Sequence, residues 1–146
     1  MHENLVKTII NDYNGIIKPL ILPGEETNGT GTCNSSLFVE GDKIHLIIRH
    51  VEYTLYHSEG DQKYQTVWEG PLSYYHREDS RVLKTNNFYC ILDNDDLTIK
   101  KYKLIDTSKL DVDPLWDFIG LEDARLVKWN DKYYVCGVRR DTTTNG

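Results

Sequence analysis

An all-β fold is predicted from three observations on this sequence. A charged tetrapeptide recurs at a fixed spacing, each copy runs into strand-like patterns, and no long stripe of helical period appears anywhere.

The tetrapeptide is Glu122-Asp123-Ala124-Arg125, which repeats the spelling of Glu78-Asp79-Ser80-Arg81 found 44 positions earlier. The match continues, with Val82-Leu83-Lys84 lying over Leu126-Val127-Lys128. Each copy then meets a turn signal, Asn86-Asn87 in one and Asn130-Asp131 in the other, followed by an aromatic strand over 88–92 or 133–136. A further 44 positions back stands Asn34, which opens the run 34–40, the Gly41-Asp42 turn and the apolar strand 44–48. Three hairpins are therefore expected to share one period. The best helix candidate is Glu3 to Tyr13 at the N-terminus.

A period of 40 to 50 residues with several short strands per unit fits a β-propeller blade, a four-stranded antiparallel sheet, better than a helical solenoid. The 146 residues hold about three such units, roughly 34–77, 78–121 and an incomplete 122–146, within one domain over 1–146. Propellers close with about four to eight blades. The chain accordingly reads as the N-terminal part of a propeller, and its open blade edges predict self-association.

Composition narrows the partners. A hydrophobic fraction of 39% supports a core, and ten Tyr with three Trp and three Phe suit strands and sugar-stacking surfaces alike. The net charge of −6 argues against nucleic acid, which needs clustered Lys and Arg. Lys100-Lys101 with Lys103 is the one basic cluster and reads as a solvated strand face. No apolar run approaches the ~20 residues of a membrane span, and Met1-His2-Glu3-Asn4 lacks the features of a signal peptide, so no membrane partner and a cytoplasmic location are expected.

Cys33, Cys90 and Cys136 form no CxxC pair; Cys90 and Cys136 read as small buried hydrophobes, and Cys33 as a packing residue beside the pocket. His2, His45, His50, His57 and His76 show no metal-ligand spacing, and no metal or organic cofactor is expected. His45 reads as a core residue, and His50, next to Arg49 at a strand end, as the start of a polar pocket. Tyr53, Tyr56 and His57 are placed in the core or on a blade face, and Asp93-Asn94-Asp95-Asp96 in a solvated hairpin loop.

In a propeller the first strand of each blade lines the central channel, so Asn34-Ser35, Glu78-Asp79 and Glu122-Asp123 are expected to meet around one funnel. Converging carboxylates raise one another's pKa, while Arg81 or Arg125 holds one of them ionised. An acid and a base of the same residue type then coexist near neutral pH, which glycosyl transfer requires. The alternative is that these acid and arginine pairs only join neighbouring blades.

The stretch Phe118-Ile119-Gly120-Leu121-Glu122-Asp123-Ala124-Arg125, followed by the Tyr133-Tyr134 strand, resembles the Gly-x-Glu-Asp-Pro-Arg motif of glycoside hydrolase family 130. These are five-bladed propellers, the mannoside phosphorylases and related mannosidases. In that family an Asn-Pro or Asn-Ser pair opens an early strand and an Arg closes the next about fifteen positions later. Here Asn34-Ser35 precedes Arg49 by that interval, and the resemblance spans roughly residues 28 to 140.

The resemblance implies that Asp123 is the general acid, acting on the glycosidic oxygen directly or through a sugar hydroxyl, with Glu122 beside it. It implies that Asn34, Ser35 and Arg49 hold the sugar and that Arg125 orients Asp123 or Glu122; His50 from its strand end, and Asp79 and Arg81 from the funnel, are further substrate-binding candidates. Ala124 stands where the family has Pro, and the family's later blades, which carry its phosphate-binding residues, have no counterpart here. Hydrolysis and phosphorolysis thus stay open, with inorganic phosphate as co-substrate in the second case. Arg139-Arg140-Asp141 is a candidate anion site or a set of acid-paired arginines, and Trp116 or Phe118 a candidate stacking platform or a packing residue. The invertase-like and arabinanase-like families fit less well, because Asn34-Ser35 stands where they place an Asp.

The expected partner is an oligosaccharide or glycoside, bound by a parent enzyme of which this fragment alone is inactive. A second expectation is a propeller that binds glycans without cleaving them, beside a glycosyltransferase. A third is an interaction domain whose acidic rim meets a protein.

Overall fold

The computed structural model describes residues 2–54, 64–69, 72–113, 115 and 117–140. They are mostly β, arranged in several small sheets. Two helices, α1 (His2–Tyr13) and α2 (Gly24–Thr27), precede the strands β1 (Thr32–Glu40), β2 (Lys43–Val51), β3 (Thr66–Glu69), β4 (Ser73–His76), β5 (Leu83–Leu92), β6 (Ile99–Leu104), β7 (Phe118–Ile119), β8 (Glu122–Trp129) and β9 (Lys132–Val138). Among the described residues no helix is long and apolar enough to cross a membrane.

The main sheet runs β1-β2-β5-β6, all antiparallel, and β7 adds two residues parallel to β5. β3-β4 and β8-β9 are separate hairpins. β2 is the centre of the molecule, buried from His45 to Val51. Alternation divides its side chains between two faces. On one, Leu46 and Ile48 join Leu22, Phe88, Cys90 and Leu92. On the other, Ile47 packs under Ala124 and Leu126 of β8, with Phe38 and Tyr89 around them. A third cluster, Val51, Tyr53, Leu83 and Phe118 with Trp68 and Tyr74, closes the end where β7 joins.

The outer two of the three expected hairpins form. β1 and β2 turn at Gly41-Asp42, and β8 and β9 at Asn130-Asp131, whose φ of 48° and 57° suit a two-residue hairpin turn. The middle one does not. Asn86-Asn87 makes no turn but lies inside the continuous strand β5, because pairing with β2 from Ile44↔Leu92 to Val51↔Thr85 overrides the local turn preference. Buried Asn87 is accommodated there by donating from Nδ2 to Leu121 O at 2.7 Å.

Cys90 is fully buried, as expected, but Cys136 is exposed on β9, whose every residue is open to solvent. His45 is core, with Nδ1 2.6 Å from Tyr89 Oη, although its Nε2 lacks a partner. Lys100, Lys101 and Lys103 lie on the exposed strand β6, and 94–96 form the turn before it. Tyr56, His57, Trp116 and Asp141 fall outside the described residues.

Candidate functional site

Two strand irregularities face each other at the end of the β1-β2-β8 interface. The β1-β2 register shifts between Cys33 and Ser36, and the β8-β9 register between Glu122 and Arg125. Inside them Asn34 (φ 47°) and Asp123 (φ 51°) adopt the left-handed conformation that Asn and Asp tolerate best. Asn34 Nδ2 donates to Asp123 Oδ1 at 2.7 Å, across 89 positions of sequence.

Arg49 rises between them from β2, on the face of β2 that also carries Ile47. Its Nη1 donates to Asp123 Oδ1 at 3.2 Å, and its Nη2 lies 3.5 Å from Glu122 Oε1. Nη2 also reaches Thr85 Oγ1 at 3.4 Å and Tyr53 Oη at 3.5 Å. The guanidinium is thus almost wholly buried, with side-chain exposure of 9%, against 14% for Glu122 and 49% for Asp123. Two carboxylates, one buried cation and one primary amide converge here, with one carboxylate open to solvent.

The backbone that delivers Glu122 and Asp123 is fixed by two glycines. Gly120 takes φ 106°, and a Cβ there would sit 2.1 Å from Thr85 O, so only glycine lets the chain pass this close to β5. β7 pairs with Leu83 and Lys84 immediately before it, and Asn87 Nδ2 holds Leu121 O immediately after. Across the β8-β9 hairpin, a Cβ on Gly137 would come within 2.6 Å of Glu122 O. Arg125 Nη1 reaches the carbonyl of Asn34 at 3.4 Å and so ties one bulge to the other.

The electrostatics differ from the expectation of mutually raised carboxyls. The Asn34 hydrogen bond, with Arg49 and Arg125 nearby, holds the Asp123 carboxyl below the usual carboxylate range. The amide and the cations outweigh the cost of partial burial, so Asp123 is ionised in the free protein. Burial pushes the Tyr53 hydroxyl up to about 12. Cys33 is exposed rather than the expected packing residue, and its thiol is raised chiefly by local desolvation beside Arg49, Asp123 and Glu122.

Asn34, Arg49, Glu122, Asp123 and Arg125 are therefore brought together, and exposed Ser35 adjoins them in the bulge. The remaining candidates lie elsewhere. Glu78-Asp79 does not enter this cluster: Asp79 pairs with Arg77 in an exposed turn, and Arg81 pairs with Asp117 at 2.8 Å. His50 lies on the opposite face of β2 from Arg49, bonded to Thr30 and Thr27. Strand alternation, which sends neighbours apart, is the reason. Arg139 pairs with Asp111 at 3.0 Å, and Arg140 lies 3.7 Å from Glu122, so both arginines meet acids. Phe118 is buried against Trp68 and Tyr74, a packing role.

Thr85 and Tyr53, which hold Arg49, were not singled out as site residues from the sequence; Thr85 lies on the face of β5 opposite Asn86, a parity visible only once β5 is continuous. Among the described residues no group of three or more His, Cys, Asp or Glu is placed to hold a metal ion. No family model matches the chain, and comparison with curated proteins and with solved structures returns no match.

Proposed function

We propose that the Asn34-Arg49-Glu122-Asp123 cluster is the sugar-binding acid site of a carbohydrate-active propeller of the glycoside hydrolase family 130 type. The observation that carries this reading is the meeting of Asn34, Arg49 and Asp123, three positions far apart in sequence, on a single carboxylate oxygen. Oδ1 of Asp123 takes both donors, and Oδ2 takes none among the described residues, leaving it to accept from a sugar hydroxyl. Charge-assisted hydrogen bonds of this kind orient a neutral polyol with high geometric specificity.

In this reading the pocket is one face of a propeller funnel, the substrate is a mannoside or similar β-glycoside, and Asp123 is the general acid. Because Asp123 is ionised in the free state, an acid role requires proton uptake as the bound sugar excludes water from the carboxyl. The proton then passes to the glycosidic oxygen, directly or through a sugar hydroxyl, and water or inorganic phosphate attacks the anomeric carbon. Ser35 and Arg125 support the sugar and the bulge.

A second reading is favoured by the same lowered pKa. A carboxylate held ionised suits a non-catalytic glycan-binding module, such as one working beside a glycosyltransferase.

Calorimetric titration of mannose and mannobiose tests the site. Binding is expected, with a loss of tenfold or more in Arg49→Ala, about 1.4 kcal/mol. Binding unchanged by Arg49→Ala, or none at all, overturns the proposal. Release of mannose or mannose 1-phosphate from mannobiose, abolished in Asp123→Asn, selects the enzyme; binding without turnover selects the module.

A further inference from the structure

The face of β2 opposite Arg49 carries a second cavity, and the pairing that builds it holds two opposite charges apart. The register His50↔Asn86 and Val51↔Thr85 continues to Glu52, whose N–H donates to Lys84 O at 2.9 Å, so Glu52 and Lys84 are cross-strand neighbours. Opposed residues have Cβ atoms about 4.5–5.5 Å apart, near enough for a carboxylate and an ammonium to meet. These two do not pair. Glu52 Oε1 accepts instead from Asn86 Nδ2 at 2.7 Å, and the exposed Lys84 ammonium has no partner among the described residues.

Glu52 and Lys84 line a cavity of about 320 Å³, within the usual range of small-ligand pockets of about 300–1,000 Å³. Its other charged residues are Arg77 and Glu26. Arg77 is neutralised by Asp79, which takes its Nε and Nη2, and Tyr64 stands beside Arg77 and Glu52. Glu26 accepts only from the neutral Tyr102 hydroxyl, at 3.1 Å. Among the described residues, the lining charges left without an opposite partner are thus two carboxylates, Glu26 and Glu52, and one ammonium, Lys84.

The two carboxylates sit at different ends. Lys84, Asn86 and Phe88 share one face of β5, so the lining runs over four residues of strand, about 13 Å. Glu52 stands at the Lys84 end; Glu26 stands at the Phe88 end, because the Tyr102 ring that it bonds packs on Phe88 at 6.3 Å. Phe88 and its cross-strand partner Leu104 give an apolar wall between them, and buried His50 is fixed in the lining by its bonds to Thr27 and Thr30.

The complement of this lining carries a carboxylate and an ammonium close together, an aliphatic stem, and a second cation at its far end. Each such contact is a charge-assisted hydrogen bond, about twice as strong as a neutral one, which a neutral occupant would forgo. We infer that the Glu26-Glu52-Lys84 cavity binds a free basic α-amino acid of the lysine or arginine class. Its carboxylate meets Lys84, its α-ammonium Glu52 and its side-chain cation Glu26. The site is separate from the Asp123 cluster and does not rest on its reading.

The test is calorimetric titration of the full chain with L-lysine and L-arginine, with amide NMR shifts to locate the site. Saturable binding of at least one is expected, with shifts at Glu52, Lys84 and Asn86. Norleucine, cadaverine and ε-aminocaproate each lack one of the three charges of lysine, and each is expected to bind at least tenfold more weakly. Three exposed or half-exposed positions then assign the contacts. Lys84→Ala should weaken lysine tenfold and leave cadaverine unchanged, Glu52→Gln should weaken lysine tenfold and leave ε-aminocaproate unchanged, and Glu26→Gln should abolish the preference for lysine over norleucine. The inference is overturned if neither amino acid binds at concentrations up to about 100 mM. It is also overturned if any of the three analogues binds as tightly as lysine, or if the three variants all bind lysine as the parent does.

Discussion

Glu78-Asp79-Ser80-Arg81 and Glu122-Asp123-Ala124-Arg125 share three of four residues, yet they occupy different worlds. The second enters a strand and places its two acids against a buried arginine. The first lies in and just after an exposed turn, where Asp79 folds back onto Arg77, and His76 Nδ1 donates to the carbonyls of Arg77 and Ser80. What separates them is the preceding residues. Gly120 and Leu121 let the later copy pass within contact of Thr85 and Asn87, whereas Arg77 offers the earlier copy a local partner. A motif's chemistry is thus set by the segment that delivers it.

The comparison breaks most severely at Gly120. Gly120→Val forces a branched Cβ into the Thr85 carbonyl at positive φ, and denaturant unfolding should show a loss on the order of 3–4 kcal/mol. The sugar binding proposed for the Asp123 cluster should vanish with it, because the segment no longer docks.

Arg49→Ala comes next. It leaves Glu122, with a side chain 14% exposed, facing Asp123 with only the more distant Arg140 at 3.7 Å as a cation, and a loss of about 2–3 kcal/mol is expected in the same measurement. Recovery in the double variant Arg49→Ala with Glu122→Gln would sharpen the point, since the cost lies in a buried charge that has lost its nearer cation.

Asp123→Asn removes one ion pair from a half-exposed carboxylate, and about 1 kcal/mol is expected. The linked pH effect has a definite sign. Because folding lowers the Asp123 pKa, its stabilisation is complete above the unfolded value near 3.9 and is lost as pH falls through the still lower folded value. Acid unfolding curves of the parent and Asp123→Asn should therefore stay fully apart above about pH 4 and converge only as pH falls through the lower folded value.

Arg81→Ala, in the exposed copy, should change stability by no more than about 0.5 kcal/mol, because its partner Asp117 is held across solvent at 70% exposure of the arginine. A larger effect would mean that the two copies are more alike than their surroundings indicate.

Much of the fold was legible in the residues. The 44-residue repeat, with apolar and aromatic runs between turn signals, marked β1, β2, β8 and β9, and the Gly41-Asp42 and Asn130-Asp131 turns closed the outer hairpins where expected. The helix candidate Glu3 to Tyr13 appears as α1. The middle hairpin was misread because Asn86-Asn87 is a turn signal by composition and a strand by pairing: β2 supplies partners along the whole length of β5. Cys136 was misread because an apolar strand pattern reports the capacity to be buried, and every residue of β9, Cys136 included, is left exposed even though Tyr133 packs near Phe38 and His45.

For the site, the sequence by itself determined which groups are available. The Asn34 to Arg49 spacing spans one hairpin, so β1-β2 pairing alone brings the two ends together, as the Cys33↔Arg49 register records. Only the tertiary structure decided which acid pair joins them. It chose Glu122-Asp123 over Glu78-Asp79 through Gly120's approach to β5, and it divided Arg49 from His50 by the parity of one strand. It also set the charge of Asp123, because the Asn34 amide and the Arg49 guanidinium outweigh the cost of partial burial only at hydrogen-bonding distance. Spacing along a chain fixes what a strand can present; the field at a carboxylate depends on what stands within a few ångströms of it, which is a property of the packed molecule.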